Sequence, residues 1–70
     1  MQPTAGATED GNYYLSWNPP GLTLDIQFTR GGRVSWFFAD DTTGAVDGSE
    51  EEEENLPPKV FSLLRLFRRK

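Results

Sequence analysis

The stretch from Leu22 to Ala39 restricts the possible folds more than any other part of the chain. Leu22, Leu24, Ile26 and Phe28 alternate with Thr23, Asp25, Gln27 and Thr29, and after Arg30-Gly31-Gly32 the alternation resumes in Val34, Trp36 and Phe38. A period of two sends successive side chains to opposite faces of a strand, so the stretch reads as a β-hairpin. Burial selects the loop. With Gly31-Gly32 alone as the loop, Arg30 would face Arg33, Ile26 would face Phe37, and Trp36 and Phe38 would lie on the far side. With Arg30-Gly31-Gly32 as the loop, Thr29 pairs with Arg33, Phe28 with Val34, Ile26 with Trp36 and Leu24 with Phe38. Every large apolar residue but Phe37 then shares one face, and a slip by a single residue would undo that. The longer loop also separates two like charges and offers a glycine for the left-handed position.

The flanking segments extend the pattern. Tyr13, Leu15 and Trp17 alternate with Tyr14, Ser16 and Asn18, which predicts a preceding strand. Asn18-Pro19-Pro20-Gly21 is strong turn chemistry, and as a loop it would pair Trp17 with Leu22, Leu15 with Leu24 and Tyr13 with Ile26. Met1 to Gly11 is small and polar without a period and reads as a mobile lead-in. Asp40 to Asn55 reads as an acidic loop, in which Ala45-Val46 leaves room for a short edge strand and Glu50–Glu54 is a self-repelling, solvated run. Pro57-Pro58 suits a helix start. From Lys59 to Arg69, Val60, Leu63, Leu64 and Phe67 form one apolar stripe, widened by Phe61 and Leu66. The expected architecture is α+β, a β-β-β-α chain. It has a three-stranded antiparallel meander and one C-terminal helix laid across the apolar face, with residues 12–70 as one small domain.

Seventy residues without cysteine or histidine must stand without a disulfide or the usual zinc ligands. The core therefore rests on a few rings, for which Tyr13, Trp17, Phe28, Trp36, Phe38, Phe61 and Phe67 are the candidates. The net charge of −4 is unevenly distributed. All eleven carboxylates precede Leu56, accompanied only by Arg30 and Arg33, whereas Lys59, Arg65, Arg68, Arg69 and Lys70 follow with no acid among them. No stretch is long and apolar enough for a membrane span, and the first residues have neither the basic start nor the apolar run of a secretory leader. A cytoplasmic, monomeric protein is expected.

The residue inventory argues against catalysis. Without histidine, Ser16, Ser35, Ser49 and Ser62 have no activating base, Lys59 and Lys70 are expected in solvent, and Gly31-Gly32 lacks the spacing of a phosphate loop. A calcium loop beginning at Asp40 would place Thr42 and Gly44 where ligands are needed, so the pattern fails, and no cofactor is expected. The basic end of the helix invites comparison with a membrane-surface or nucleic-acid-binding segment. Covering the sheet is the better use of its apolar stripe, and the chain is acidic overall. The strand aromatics would suit a stacking platform for single strands, but most fall on the face that the helix should cover. Tyr14 and Phe37 point to the opposite face, with Ser16, Thr23, Asp25, Gln27 and Ser35, and form a candidate contact patch.

These features favour a non-enzymatic binding protein whose carboxylates meet a basic groove on a larger protein. Asp25, Asp40, Asp41, Asp47 and Glu50, Glu51, Glu52, Glu53 and Glu54 would form the negative surface, assisted by Tyr14 and Phe37. In size, acidity and lack of catalytic groups the chain resembles small phage-encoded anti-CRISPR inhibitors that imitate DNA. The likeness covers overall character along the whole length rather than a motif, and the basic C-terminus departs from it. The resemblance implies a partner in a CRISPR effector complex, a subunit that reads duplex DNA or its adjacent recognition sequence. The alternatives are a generic protein-contact module with a merely solubilising charge, and a nucleic-acid or anionic-membrane binder acting through Arg65, Arg68, Arg69 and Lys70. A further alternative is a subunit that adds strands to another sheet through the edges Tyr13–Asn18 and Arg33–Asp40.

Overall fold

The structure is a computed structural model that describes residues 2–49 and 51–68. Its sheet is antiparallel and has five strands in chain order: β1 (Thr4–Ala7), β2 (Tyr13–Trp17), β3 (Leu22–Phe28), β4 (Val34–Asp40) and β5 (Ala45–Gly48). The helix α1 (Pro58–Arg68) follows. The α+β class, the meander and the C-terminal helix stand as the sequence predicts, but the sheet has five strands instead of three.

The central hairpin has the register that burial selects. Phe28 pairs with Val34, Ile26 with Trp36 and Leu24 with Phe38. The Thr29 amide donates to the Arg33 carbonyl at 2.8 Å, and Gly32 takes the left-handed conformation with φ 80°. The β2–β3 register differs from expectation by two residues: Trp17 pairs with Leu24, Leu15 with Ile26 and Tyr13 with Phe28. The cause lies in the turn. The Leu22 amide donates to the Pro19 carbonyl at 3.1 Å, Gly21 has φ 83°, and the Thr23 hydroxyl donates to Asn18 Oδ1 at 3.1 Å. Leu22 thus closes the turn, and pairing with β2 begins beyond it. A shift of two residues preserves the faces, so no side chain changes sides.

β1 corrects the reading of a mobile lead-in, while β5 occupies the place where Ala45-Val46 left room for an edge strand in the loop. β1 lies within the segment read as mobile, where the Thr8 amide donates to the Asn12 carbonyl at 2.8 Å and Gly11 (φ 87°) closes the turn into β2. β5 lies within the segment read as an acidic loop, after a turn in which the Gly44 amide donates to the Asp40 carbonyl at 2.8 Å. Glu53 then returns to β4, exchanging two backbone hydrogen bonds of 2.7 Å with Val34. Both supposed free edges, Tyr13–Asn18 and Arg33–Asp40, are therefore largely covered by β1 and β5.

The core forms where α1 meets β3 and β4. Leu22, Leu24, Ile26, Trp36 and Phe38 from the sheet pack with Val60 and Phe67 from the helix, and Trp17, Phe28, Leu56, Leu63 and Leu64 close the margins. The helical stripe Val60, Leu63, Leu64, Phe67 thus performs as its spacing predicts. Three expected contributors lie outside: Tyr13 is 65% exposed, Phe61 57% and Leu66 45%. Eleven residues of helix span only about 16 Å, too short to shelter the whole width of a five-stranded sheet. Tyr13, at the end of β2 beside Ala7, is left in solvent. Phe61 and Leu66 lie on opposite flanks of the apolar stripe, where they stay largely exposed.

Candidate interaction surface

Helix α1 covers one face of the sheet, and the other stays open. Register places Gly6, Tyr14, Gln27 and Ser35 in one cross-strand row and Thr4, Ser16, Asp25, Phe37 and Gly48 in the next. Each aromatic thus has a glycine beside it on the adjoining edge strand. The Tyr14 ring lies over Gly6 so closely that a methyl group there would run into the phenolic oxygen. At Gly48 a methyl group would sit 2.9 Å from the Trp36 carbonyl oxygen and 3.8 Å from the Phe37 ring. The missing side chain at Gly6 lets the Tyr14 ring lie over the edge strand, and a depression lies between Tyr14 and Phe37.

That depression has a volume of about 480 Å³ and is lined chiefly by Tyr14, Ser16, Asp25, Gln27, Ser35 and Phe37. On its floor the Ser16 hydroxyl donates to Asp25 Oδ1 at 2.5 Å. This bond orients the carboxylate, while no other described hydrogen bond or ion pair engages its second oxygen. A carboxylate in a shallow groove with two aromatic rings is suited to holding a cation or a polar group.

The other predicted site residues are dispersed. Asp40 and Asp41 lie at the C-terminal end of β4, where Asp40 Oδ1 accepts from the Thr42 amide at 2.9 Å. Glu51–Glu54 runs beside the N-terminal end of β4, about 20 Å away along the strand. Arg33, the nearest cation to that run in the hydrogen-bond network, donates from Nη2 to the Glu52 backbone carbonyl at 2.9 Å, so it engages the main chain rather than a carboxylate. Asp47 lies on the helix side of β5 with its Oδ2 3.1 Å from Lys59 Nζ. The Gly48 amide and then Lys59 hold the Asp47 carboxyl below its ordinary range. Lys59 Nζ is also 6.0 Å from the Trp36 ring centroid. Glu50 lies outside the described residues. The structure thus brings Tyr14, Asp25 and Phe37 onto one face and leaves Asp40 and Asp41, Asp47 and Glu51–Glu54 in separate places.

A second depression of about 580 Å³ lies between the helix and the β2–β3 turn, lined by Pro20, Gly21, Leu22, Asp40, Thr42, Arg65 and Leu66. Its charges are of both signs. Among the described residues no three carboxylates converge as metal ligands, and no helix is long and apolar enough to cross a membrane. The polar floor of the open face was readable in the alternation of the strands. The place of Gly6 beside the Tyr14 ring was not, because it becomes known only with β1. No family model, curated protein or solved structure matches the chain.

Proposed function

We propose that this chain is a non-enzymatic binding protein that sets its carboxylates against a basic surface on a larger protein, a surface that otherwise holds nucleic acid. One observation carries the reading. Among the described residues only one ion pair forms, Lys59 with Asp47. The carboxylates of Asp25, Asp40, Asp41 and Glu51–Glu54 have no lysine or arginine nitrogen within 4.0 Å among the described side chains, which run to Phe67. An acidic surface whose charges are not internally neutralised projects a field that attracts and orients a basic partner. The dispersal of these groups over the open face and both ends of β4 fits a broad, phosphate-like footprint better than a point site. The resemblance to small phage-encoded anti-CRISPR inhibitors supports the narrower form, in which the partner is a subunit of a CRISPR effector complex.

The test is capture of purified nucleic-acid-binding effector complexes by the full chain at rising salt, with duplex DNA as competitor. Binding should weaken steeply with salt, yield to the DNA, and fall when Glu51, Glu52, Glu53 and Glu54 are all changed to glutamine. Capture indifferent to salt and to those four changes would reject charge mimicry.

A further inference from the structure

We propose that the groove on the open face of the sheet is a receptor for an arginine side chain of the protein partner, with Asp25 as the anionic anchor and Tyr14 and Phe37 as the flanking rings. This rests on the reading that the partner presents basic groups, and it names which group enters and where. Asp25 is the only charged side chain among the residues placed on the open face by the strand pairing. Its Oδ1 accepts from the Ser16 hydroxyl at 2.5 Å, and no described hydrogen bond or ion pair engages the second oxygen. A guanidinium is planar and delivers paired N–H groups, matching a carboxylate with one fixed oxygen better than an ammonium does. The faces of tyrosine and phenylalanine attract a cation through their ring quadrupoles. The Gln27 side-chain carbonyl, also in the groove lining, supplies a further acceptor. Gly6 gives the Tyr14 ring its place at the edge of the groove. At about 480 Å³ the groove exceeds what one side chain fills, so it also admits the backbone of a segment crossing the sheet. A neutral sugar would use the rings and the polar floor but would leave the negative charge of Asp25 without a counterpart, so the charge favours arginine.

The experiment is an amide NMR titration of the full 70-residue chain with a capped Gly-Arg-Gly peptide, with the same peptide carrying citrulline for arginine, and with a neutral oligosaccharide. Saturable shifts at Tyr14, Asp25, Gln27 and Phe37 with the arginine peptide, and loss of them with citrulline, are expected. Asp25→Asn should weaken binding about tenfold or more, and Phe37→Ala about two- to fivefold. Shifts confined to Glu51–Glu54, equal binding of the citrulline peptide, or a groove response to the oligosaccharide stronger than that to arginine would each overturn the assignment. The citrulline comparison leaves the protein untouched and so stands even if a variant folds poorly. In the chain with Glu51–Glu54 all changed to glutamine, the groove response should persist. Its persistence alongside unchanged partner capture would refute charge mimicry while leaving the arginine receptor standing.

Discussion

The two faces of the sheet are built from the same strands, one residue out of phase, yet they follow different rules. On the covered face Leu24, Ile26, Trp36 and Phe38 meet Val60 and Phe67 and are excluded from water. On the open face Ser16, Asp25, Gln27 and Ser35 lie between Tyr14 and Phe37 and stay accessible. The covered face is close-packed, so volume matters there to a single methylene group. The open face keeps its shape partly through the absence of atoms, at Gly6. The comparison teaches that the packed core and the accessible polar groove occupy opposite parities of one pattern, and can be perturbed separately.

The strongest challenge to that separation is removal of the helix's main contribution to the core. Phe67 is 1% exposed, and Phe67→Ala should destabilise the chain by about 3–5 kcal/mol. Chemical denaturation would measure this, and a change below about 1 kcal/mol would mean that the helix does not hold the covered face. A middling effect is expected at Gly48, where an added methyl group meets the backbone carbonyl of Trp36 at 2.9 Å, a contact that side-chain rotation cannot relieve. Gly48→Ala should cost about 1–3 kcal/mol. Gly6→Ala meets only the movable end of the Tyr14 ring, so its main effect should be a displaced Tyr14 resonance rather than a lower denaturation midpoint. Equal losses for the two glycine variants would remove the distinction between backbone-limited and ring-limited margins.

The smallest effect concerns pH. The Asp47 carboxyl titrates below its ordinary range because the Gly48 amide and Lys59 favour its charged form. A depressed folded-state pKa contributes stability above the unfolded pKa, and that contribution is lost as pH falls through the folded value. Asp47→Asn should therefore lower the thermal midpoint slightly near neutrality, and the gap from the parent should close as pH falls below the carboxylate range. A gap that widens in acid would invert the assigned sign.

Much of this was legible in the chain because large alternating side chains carry their own instructions. The β3–β4 register follows from Ile26, Trp36, Leu24 and Phe38 alone, and the helix stripe from Val60, Leu63, Leu64 and Phe67. β1 was not legible, since Thr4-Ala5-Gly6-Ala7 has no apolar alternation and becomes a strand by accepting the free edge of β2. Asp10-Gly11 ahead of Tyr13 was the available clue to its turn. β5 was partly legible, since Ala45-Val46 left room for a short edge strand, but the surrounding charges gave no sign that it would extend to Gly48. Tyr13 and Phe61 were misplaced because an aromatic ring enters a core only where something lies across from it, and a short helix reaches only part of the sheet. On the open face, the side occupied by Tyr14, Asp25 and Phe37 could be read from parity. The groove could not, because it depends on which residue lies next to the Tyr14 ring.

The bridge between Val34 and Glu53 has a consequence for how the helix finds its place. Without it, the chain from the end of β5 to Pro58 would be one loose tether able to swing α1 to either side of the sheet. Pinned at Glu53, the tether becomes two brief spans, and the second has only Glu54 to Pro57 in which to reach the helix. The shorter leash lowers the entropy lost on docking and biases α1 toward one side, leaving the opposite face uncovered.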